Sequence, residues 1–194
     1  MTVERYLNKR LEREGKSYIV SCLVEVKAVD PDALIRVVRE RLEGLDVQLL
    51  DAEVIAGRRH IEFALLNALY ALDHGYNISK SLAVEIMLYA STQRQIQKAV
   101  ELIGVKAETR AIASILIGDS TLNLQEALGV IREASRGRVD EGALEVHPNK
   151  LRKLMDTYNI TSLELETERI GNIKDSELLT NLIIEKMALL TVRS

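Results

Sequence analysis

The chain has 194 residues, of which 47% are apolar and 28% are charged, and its formal net charge at pH 7 is −3. This length suits one globular domain with a sizeable core. The slightly acidic balance excludes a broadly basic protein that coats nucleic acid, so any nucleic-acid-binding function would need a local site.

The N-terminal segment, 1–16, is strongly charged and predicts a short helix or a frayed arm that Gly15 ends. It lacks the apolar core of a secretory signal, and no apolar run approaches the ~20 residues of a membrane span. The sequence therefore predicts a soluble, cytoplasmic protein without membrane contact. The single cysteine, Cys22, excludes an internal disulfide and a multi-cysteine zinc site, and its apolar neighbours predict burial.

Segments rich in Val and Ile predict three strands, 18–27, 47–55 and 109–117. Between the first two strands, Asp30 and Pro31 begin a helix because aspartate caps free N–H groups and proline is tolerated in the first turn.

The middle of the chain predicts three helices. A turn at 57–59 precedes the clearest one, whose apolar residues, Leu65 among them, recur at helical spacing until Gly75. The segment 81–91 is apolar nearly all round, which is typical of a helix at the centre of a core or under a partner. A third helix, 93–103, carries one apolar stripe, formed by Ile96, Ala99, Val100 and Ile103.

The last third of the chain is again mostly helical. Asn123 and Glu126 form a candidate capping pair for one helix, and Pro148 begins another. The charged segment 136–145 predicts a loop, 161–170 fits either a strand or a helix, and Asp175 caps the final helix. This order predicts an α/β (α+β) fold in which a small mixed or antiparallel sheet is flanked by several helices. We expect an extension, 1–16, and a single domain, 17–194.

The sequence lacks most catalytic signatures, and it predicts no enzyme, no cofactor and no metal site. Its three histidines, His60, His74 and His147, are scattered. Glu85 is a charge inside an apolar helix. We interpret it as a structural residue that faces solvent or pairs with Lys80 or a neighbouring helix, rather than as a general acid or base.

Two polar clusters flank the helix 81–91, and each suits phosphate binding at a helix start or ordinary capping. The clusters are Asn77, Ser79, Lys80 and Ser81 before the helix, and Ser91, Thr92, Gln93, Arg94 and Gln95 after it. In an antiparallel helical hairpin they would lie at opposite ends. They would then form one patch only if other segments brought them together.

The same region resembles a known protein family. The resemblance is found in the segments 56–61, 75–86 and 91–105, together with 185–190 near the C-terminus. In order, spacing and flanking residues they are similar to the regulatory subunit of the KEOPS complex, the PRPK-binding, CGI-type family. The resemblance covers roughly 18–192, and 77–104 is its most specific part.

This resemblance implies a mixed α/β fold and a non-catalytic accessory subunit. Such a subunit binds the N-terminal lobe of a small atypical kinase and helps to hold tRNA through its single-stranded 3′ CCA end. The complex installs threonylcarbamoyl on an adenosine of the anticodon loop, with the chemistry in other subunits. A short single-stranded end needs few phosphate contacts, which fits the weak overall charge.

The resemblance also suggests tRNA-binding residues. Lys80 and Arg94 are expected to contact phosphate, and Asn77 and Gln95 a base or sugar. Ile96 is expected in the core. Arg58 and Arg59 would extend the positive surface, whereas the face that binds the kinase is not assigned.

Two alternatives stay open at this point. A pure scaffold would bind the kinase without touching RNA. A small-molecule enzyme would need a deep pocket that converges on Glu85, Lys80 and Arg94. At least one of these side chains would have a strongly shifted pKa.

Overall fold

The computed structural model describes residues 2–27, 30–169 and 171–192. Six residues lie outside the described ranges, namely Met1, Ala28, Val29, Ile170, Arg193 and Ser194. The predicted segments 1–16 and 161–170 and the predicted domain 17–194 are therefore described only in part. In the described ranges the strands are β1 (Ser17–Val24), β2 (Asp46–Asp51), β3 (Ala111–Gly118) and β4 (Arg138–Val139). The α-helices there are α1 (Val3–Glu12), α2 (Pro31–Arg41), α3 (Gly57–His74), α4 (Leu82–Ser91), α5 (Ile96–Ile103), α6 (Thr121–Ser135), α7 (Pro148–Tyr158), α8 (Ser162–Thr167) and α9 (Asp175–Val192).

The four strands form one sheet in the order β2-β3-β1-β4, and every pair is antiparallel. All eight residues of β3 are buried. A strand buried on both faces has a continuous apolar sequence, which is why β3 was predictable from its composition. The α+β class with an antiparallel sheet is confirmed.

The chain divides into two compact units. The first contains the residues up to Ala52 together with Gly104–Ala143, and it holds the sheet with α1, α2 and α6. Its core joins apolar side chains of the sheet to those of α2 and α6, including Leu23, Val38, Ile112 and Ile131. The predicted division into an extension, 1–16, and a single domain, 17–194, stays a prediction.

The charged N-terminal segment forms a true helix. Leu7 and Leu11 of α1 are completely buried, and α1 packs against β1. Because residues four apart lie on one helix face, Leu7 and Leu11 form one buried side of this helix.

The second unit, Glu53–Ile103 with the chain from Leu144 onward, is helical. In α3 the predicted apolar stripe is buried, and Leu65 is 0% exposed. Gly75 ends α3 in the left-handed conformation, with φ of 72°, as predicted. None of the described helices combines the length and apolar character that crossing a bilayer requires.

Helix α5 corrects one expectation. Ala99 and Ile103 are fully buried, but Ile96 is 45% exposed and Val100 is 47% exposed. The prediction that Ile96 belongs to the core is therefore wrong. An eight-residue helix buries only the arc that faces its neighbour, and Ile96 is its first residue.

The structure corrects three other local expectations and resolves one that was left open. The predicted turn at 57–59 is instead the first turn of α3. Ser120, not Asn123, caps α6, because its hydroxyl accepts the N–H of Asn123 at 3.3 Å. The predicted loop 136–145 contains the short strand β4, which pairs with β1. Thr161 and Glu164 form a capping box, which makes the ambiguous segment the helix α8.

Replacing Leu65 with alanine should lower the free energy of unfolding by about 2–5 kcal/mol, because it leaves a cavity in a close-packed core. Urea or thermal unfolding measures this loss. Leu122→Ala is the matched control, since Leu122 is 72% exposed and its truncation should change stability little. A Leu65→Ala variant that unfolds like the wild type would contradict the buried stripe.

Candidate functional site

The loop between α3 and α4 is held by a buried carboxylate. Glu85 is 1% exposed. Both of its oxygens accept the backbone N–H of Ile78 at 3.2 Å, and one also accepts the N–H of Ser79 at 2.8 Å. Glu85 therefore does not face solvent, and its structural role differs from both that were expected. A carboxylate satisfied by backbone donors fixes the loop that carries the first polar cluster.

The same loop is closed by shorter hydrogen bonds. The side-chain amide of Asn77 donates to the carbonyl of Ser79 at 3.0 Å, and the hydroxyl of Ser81 caps α4. Lys80 is exposed. The predicted contact residues Asn77 and Lys80 thus lie on an ordered turn.

The second polar cluster follows α4. Thr92 adopts the left-handed conformation, with φ of 56°, and its N–H donates to the carbonyls of Leu88 and Tyr89. This turn directs Arg94 toward the C-terminal part of α9, where one guanidinium nitrogen donates to the carbonyl of Leu190 at 2.9 Å. Arg94 and Gln95 are both exposed.

The two loops that carry these clusters line one small cleft beside α4. Its walls comprise two residues of the first loop, two of the second, three of α4 and one of α9, namely Tyr76, Ile78, Gln93, Arg94, Glu85, Leu88, Tyr89 and Leu190. The cleft encloses only about 10 Å³. Gln93 and Arg94 of the second cluster line this cleft, whereas none of the four residues of the first cluster does, so the clusters do not form one patch there. Both turns fold back along α4, which brings Ile78 and Arg94 to the same cleft.

This geometry does not fit the requirements of the small-molecule alternative. A cavity of about 10 Å³ holds no more than a water molecule. The carboxylate of Glu85 is occupied by backbone donors, and Lys80 does not belong to the lining. The cleft is a small, largely enclosed gap in which one guanidinium lies beside aromatic and aliphatic groups.

Arg58 and Arg59 lie at a different place in the second unit. Arg58 forms an ion pair with Glu62 at 2.9 Å, and Arg59 donates to the amide oxygen of Asn181 at 2.7 Å. The guanidinium of Arg59 also lies over the ring of Phe63, 5.5 Å from its centroid. Both arginines line a cavity of about 870 Å³ with the first turns of α7 and α9. They do not line the cleft of Arg94.

A buried histidine organises the helices around the site. His60 is 0% exposed. Its Nδ1 accepts the N–H of Ala56 at 3.0 Å, and its Nε2 donates to the carbonyl of Ala90 at 2.9 Å. The hydroxyl of Tyr158 lies 3.1 Å from the same carbonyl and 2.9 Å from that of Val54. His60 thus joins the start of α3 to the ends of α4 and α7.

Burial lowers the pKa of His60 to about 4, from an ordinary value of 6.5. The hydrogen bond to Ala90 opposes this shift, and the positive charge of Lys150 adds to it. Burial also raises the pKa of Tyr158 above its ordinary range. Nothing in the sequence indicated this pair beyond a histidine next to an apolar stripe, because its partners are backbone groups.

The chain is similar to proteins of one known family. Residues 27–191 match the protein family described as kinase binding protein CGI-121. A protein of Methanocaldococcus jannaschii, described as regulatory protein Cgi121, is 30% identical over 127 residues. That similarity covers 66% of this chain and 79% of the relative.

The buried imidazole predicts a pH-dependent stability. Between pH 6.5 and pH 4 the unfolded chain binds a proton at His60 that the folded chain does not bind. Stability should therefore fall as the pH is lowered through this window, by about 3 kcal/mol in total from this group. Urea unfolding at a series of pH values measures the slope.

His60→Gln should be less stable at pH 7.5 and should lose this part of the slope. His147→Gln is the control, because His147 is exposed and its replacement should keep the slope of the wild type. Equal slopes in the wild type and His60→Gln would refute the assignment.

Proposed function

The chain belongs to the CGI-121 family of kinase-binding proteins, and on this premise we propose that it is a non-catalytic regulatory subunit of a KEOPS-type tRNA-modifying complex. In that role it binds a small atypical kinase through the kinase's N-terminal lobe, and it recruits tRNA through the 3′ CCA end. The complex acts in the cytoplasm, and this subunit requires no cofactor. The resemblance at 75–86 and 91–105 supports the link to KEOPS.

The tRNA part of the proposal is carried by one observation, which is that the two polar loops converge beside α4. Arg94, Tyr76 and Ile78 line one cleft, so a cation adjoins an aromatic ring and an aliphatic side chain. Single-stranded RNA ends are recognised by this combination, because bases stack on rings while phosphates pair with cations.

We assign roles within this site as follows. Arg94 contacts a phosphate, since the bond to Leu190 uses only one of the five N–H donors of its guanidinium. Lys80 supplies a second positive charge at the edge. Asn77 and Gln95 contact a base or sugar. Arg58 and Arg59 extend the positive surface at a separate cavity, so we expect them to contribute less.

The kinase part of the proposal rests on the family and on the exposed face of α5. Ile96 and Val100 lie one helical turn apart and are both nearly half exposed. Exposed apolar residues that adjoin one another mark a candidate protein–protein contact, whereas single ones do not. We therefore propose this face of α5 as part of the kinase contact.

The tRNA proposal predicts tighter binding to an intact tRNA than to the same tRNA without its 3′ CCA, measured by fluorescence anisotropy. Arg94→Ala should weaken binding to the intact tRNA and reduce the salt dependence of log K by about 0.7, the loss of one single-strand phosphate contact. Arg39→Ala, an exposed arginine of α2 in the first unit, is the matched control.

Equal or absent binding to the two tRNAs would remove the recruitment role. The function would then be that of a kinase-binding scaffold without RNA contact. An Arg94→Ala variant with unchanged affinity and salt slope would remove Arg94 from the site while leaving recruitment possible elsewhere.

The kinase proposal predicts that Val100→Glu weakens binding to the kinase subunit by at least tenfold, because a charge would be buried in an apolar contact. Isothermal titration calorimetry with the purified kinase measures the change. Leu122→Glu is the control, since Leu122 is an equally apolar, exposed residue in the first unit. Unchanged affinity in Val100→Glu would place the interface elsewhere.

A further inference from the structure

Three aromatic rings form an exposed stack at the C-terminal end of α3. The ring centroids of Tyr70 and His74 are 4.0 Å apart with an interplanar angle of 26°. Those of His74 and Tyr76 are 6.1 Å apart with an angle of 13°. Tyr70 is 49% exposed and Tyr76 is 51% exposed. The rings are thus ordered on one another without being part of the core.

Backbone hydrogen bonds fix the stack. The Nδ1 of His74 donates to the carbonyl of Tyr70 at 2.8 Å, which orients the central ring. Gly75 turns the chain with φ of 72°, and the N–H of Tyr76 then donates to the carbonyl of Ala71 at 2.9 Å. Because these bonds hold the rings in place before any ligand arrives, a ligand loses little affinity to ordering them.

The stack is continuous with the proposed tRNA site. Tyr76 is the third ring of the stack, and it also lines the cleft that contains Arg94 and Ile78. A nucleic-acid strand whose phosphate lies at Arg94 would therefore have an aromatic surface directly beside it.

We propose that Tyr70, His74 and Tyr76 form a platform whose outer faces, on Tyr70 and Tyr76, stack against unpaired bases of single-stranded RNA. This inference rests on the proposed binding of the tRNA 3′ end, and it extends the site from one cleft to several nucleotides. Stacking on rings tolerates any base, since every base has a π-face. The platform therefore adds affinity for unpaired nucleotides without adding sequence preference.

The test uses the full-length protein and a labelled, single-stranded RNA of eight nucleotides, in anisotropy titrations. Tyr70→Leu and Tyr76→Leu should each weaken binding about five- to hundredfold, the loss expected for one base–aromatic stack. Tyr70→Phe and Tyr76→Phe keep a ring and should bind like the wild type. Tyr6→Leu is the matched control, because Tyr6 is 44% exposed on α1. Thermal unfolding verifies that each variant is folded.

A second RNA, identical but with abasic sites in place of its bases, separates stacking from other effects. The wild type should bind this RNA more weakly, and the leucine variants should bind it no worse than the wild type does. Leucine variants that lose affinity equally for both RNAs would overturn the platform. Leucine variants that keep wild-type affinity for RNA would overturn it too, and a simultaneous loss of kinase binding would identify the rings as a protein interface.

The outcomes also separate this inference from the proposed function. If removal of the 3′ CCA and Arg94→Ala both weaken tRNA binding but the leucine variants bind RNA like the wild type, tRNA recruitment is supported and the platform is refuted. If the tyrosines matter for the eight-nucleotide RNA but removal of CCA changes nothing, the platform stands and recruitment through the 3′ end falls. If the wild type binds neither RNA nor tRNA, both fall.

Discussion

The helical unit depends on one neutral imidazole. His60 is completely buried, and both of its ring nitrogens are satisfied by backbone groups at different helix ends. Tyr158 reaches the carbonyl of Ala90 as well, so α3, α4 and α7 converge on one hydrogen-bonded group. An unpaired buried polar atom costs more than a hydrogen bond gains, which makes this arrangement specific as well as stabilising. The lowered pKa follows from the same burial.

The candidate site inherits its shape from this framework. The end of α4 at Ala90 is fixed by His60, and the loop before α4 is fixed by the carboxylate of Glu85. Hydrogen bonds thus hold both ends of α4, from which the loops with Tyr76 and Arg94 extend. Buried polar groups therefore position an exposed surface that contains few charges.

Local patterns predicted much of the fold. Continuous apolar runs identified β1 and β3, and the helical period identified α3, because burial leaves a direct mark on composition. The predictions that failed concerned side chains whose contacts the local sequence does not determine. Ile96 looked like core because periodicity does not tell which side of a short helix has a neighbour. Glu85 and His60 were noted in the sequence, but their hydrogen-bond partners were not predicted. Those partners are backbone groups, which every residue type supplies, so the sequence does not reveal them.

The position of β3 has a consequence for how the protein is made. β3 pairs on one side with β1 and on the other with β2, and both precede it in the chain, with Ser17 opposite Gly118. While the polypeptide leaves the ribosome, β1 and β2 therefore remain unpaired until their common partner has been synthesised. Such long-range pairing slows folding and leaves strand edges open to aggregation. Nascent chains shorter than this strand are thus expected to depend on chaperones.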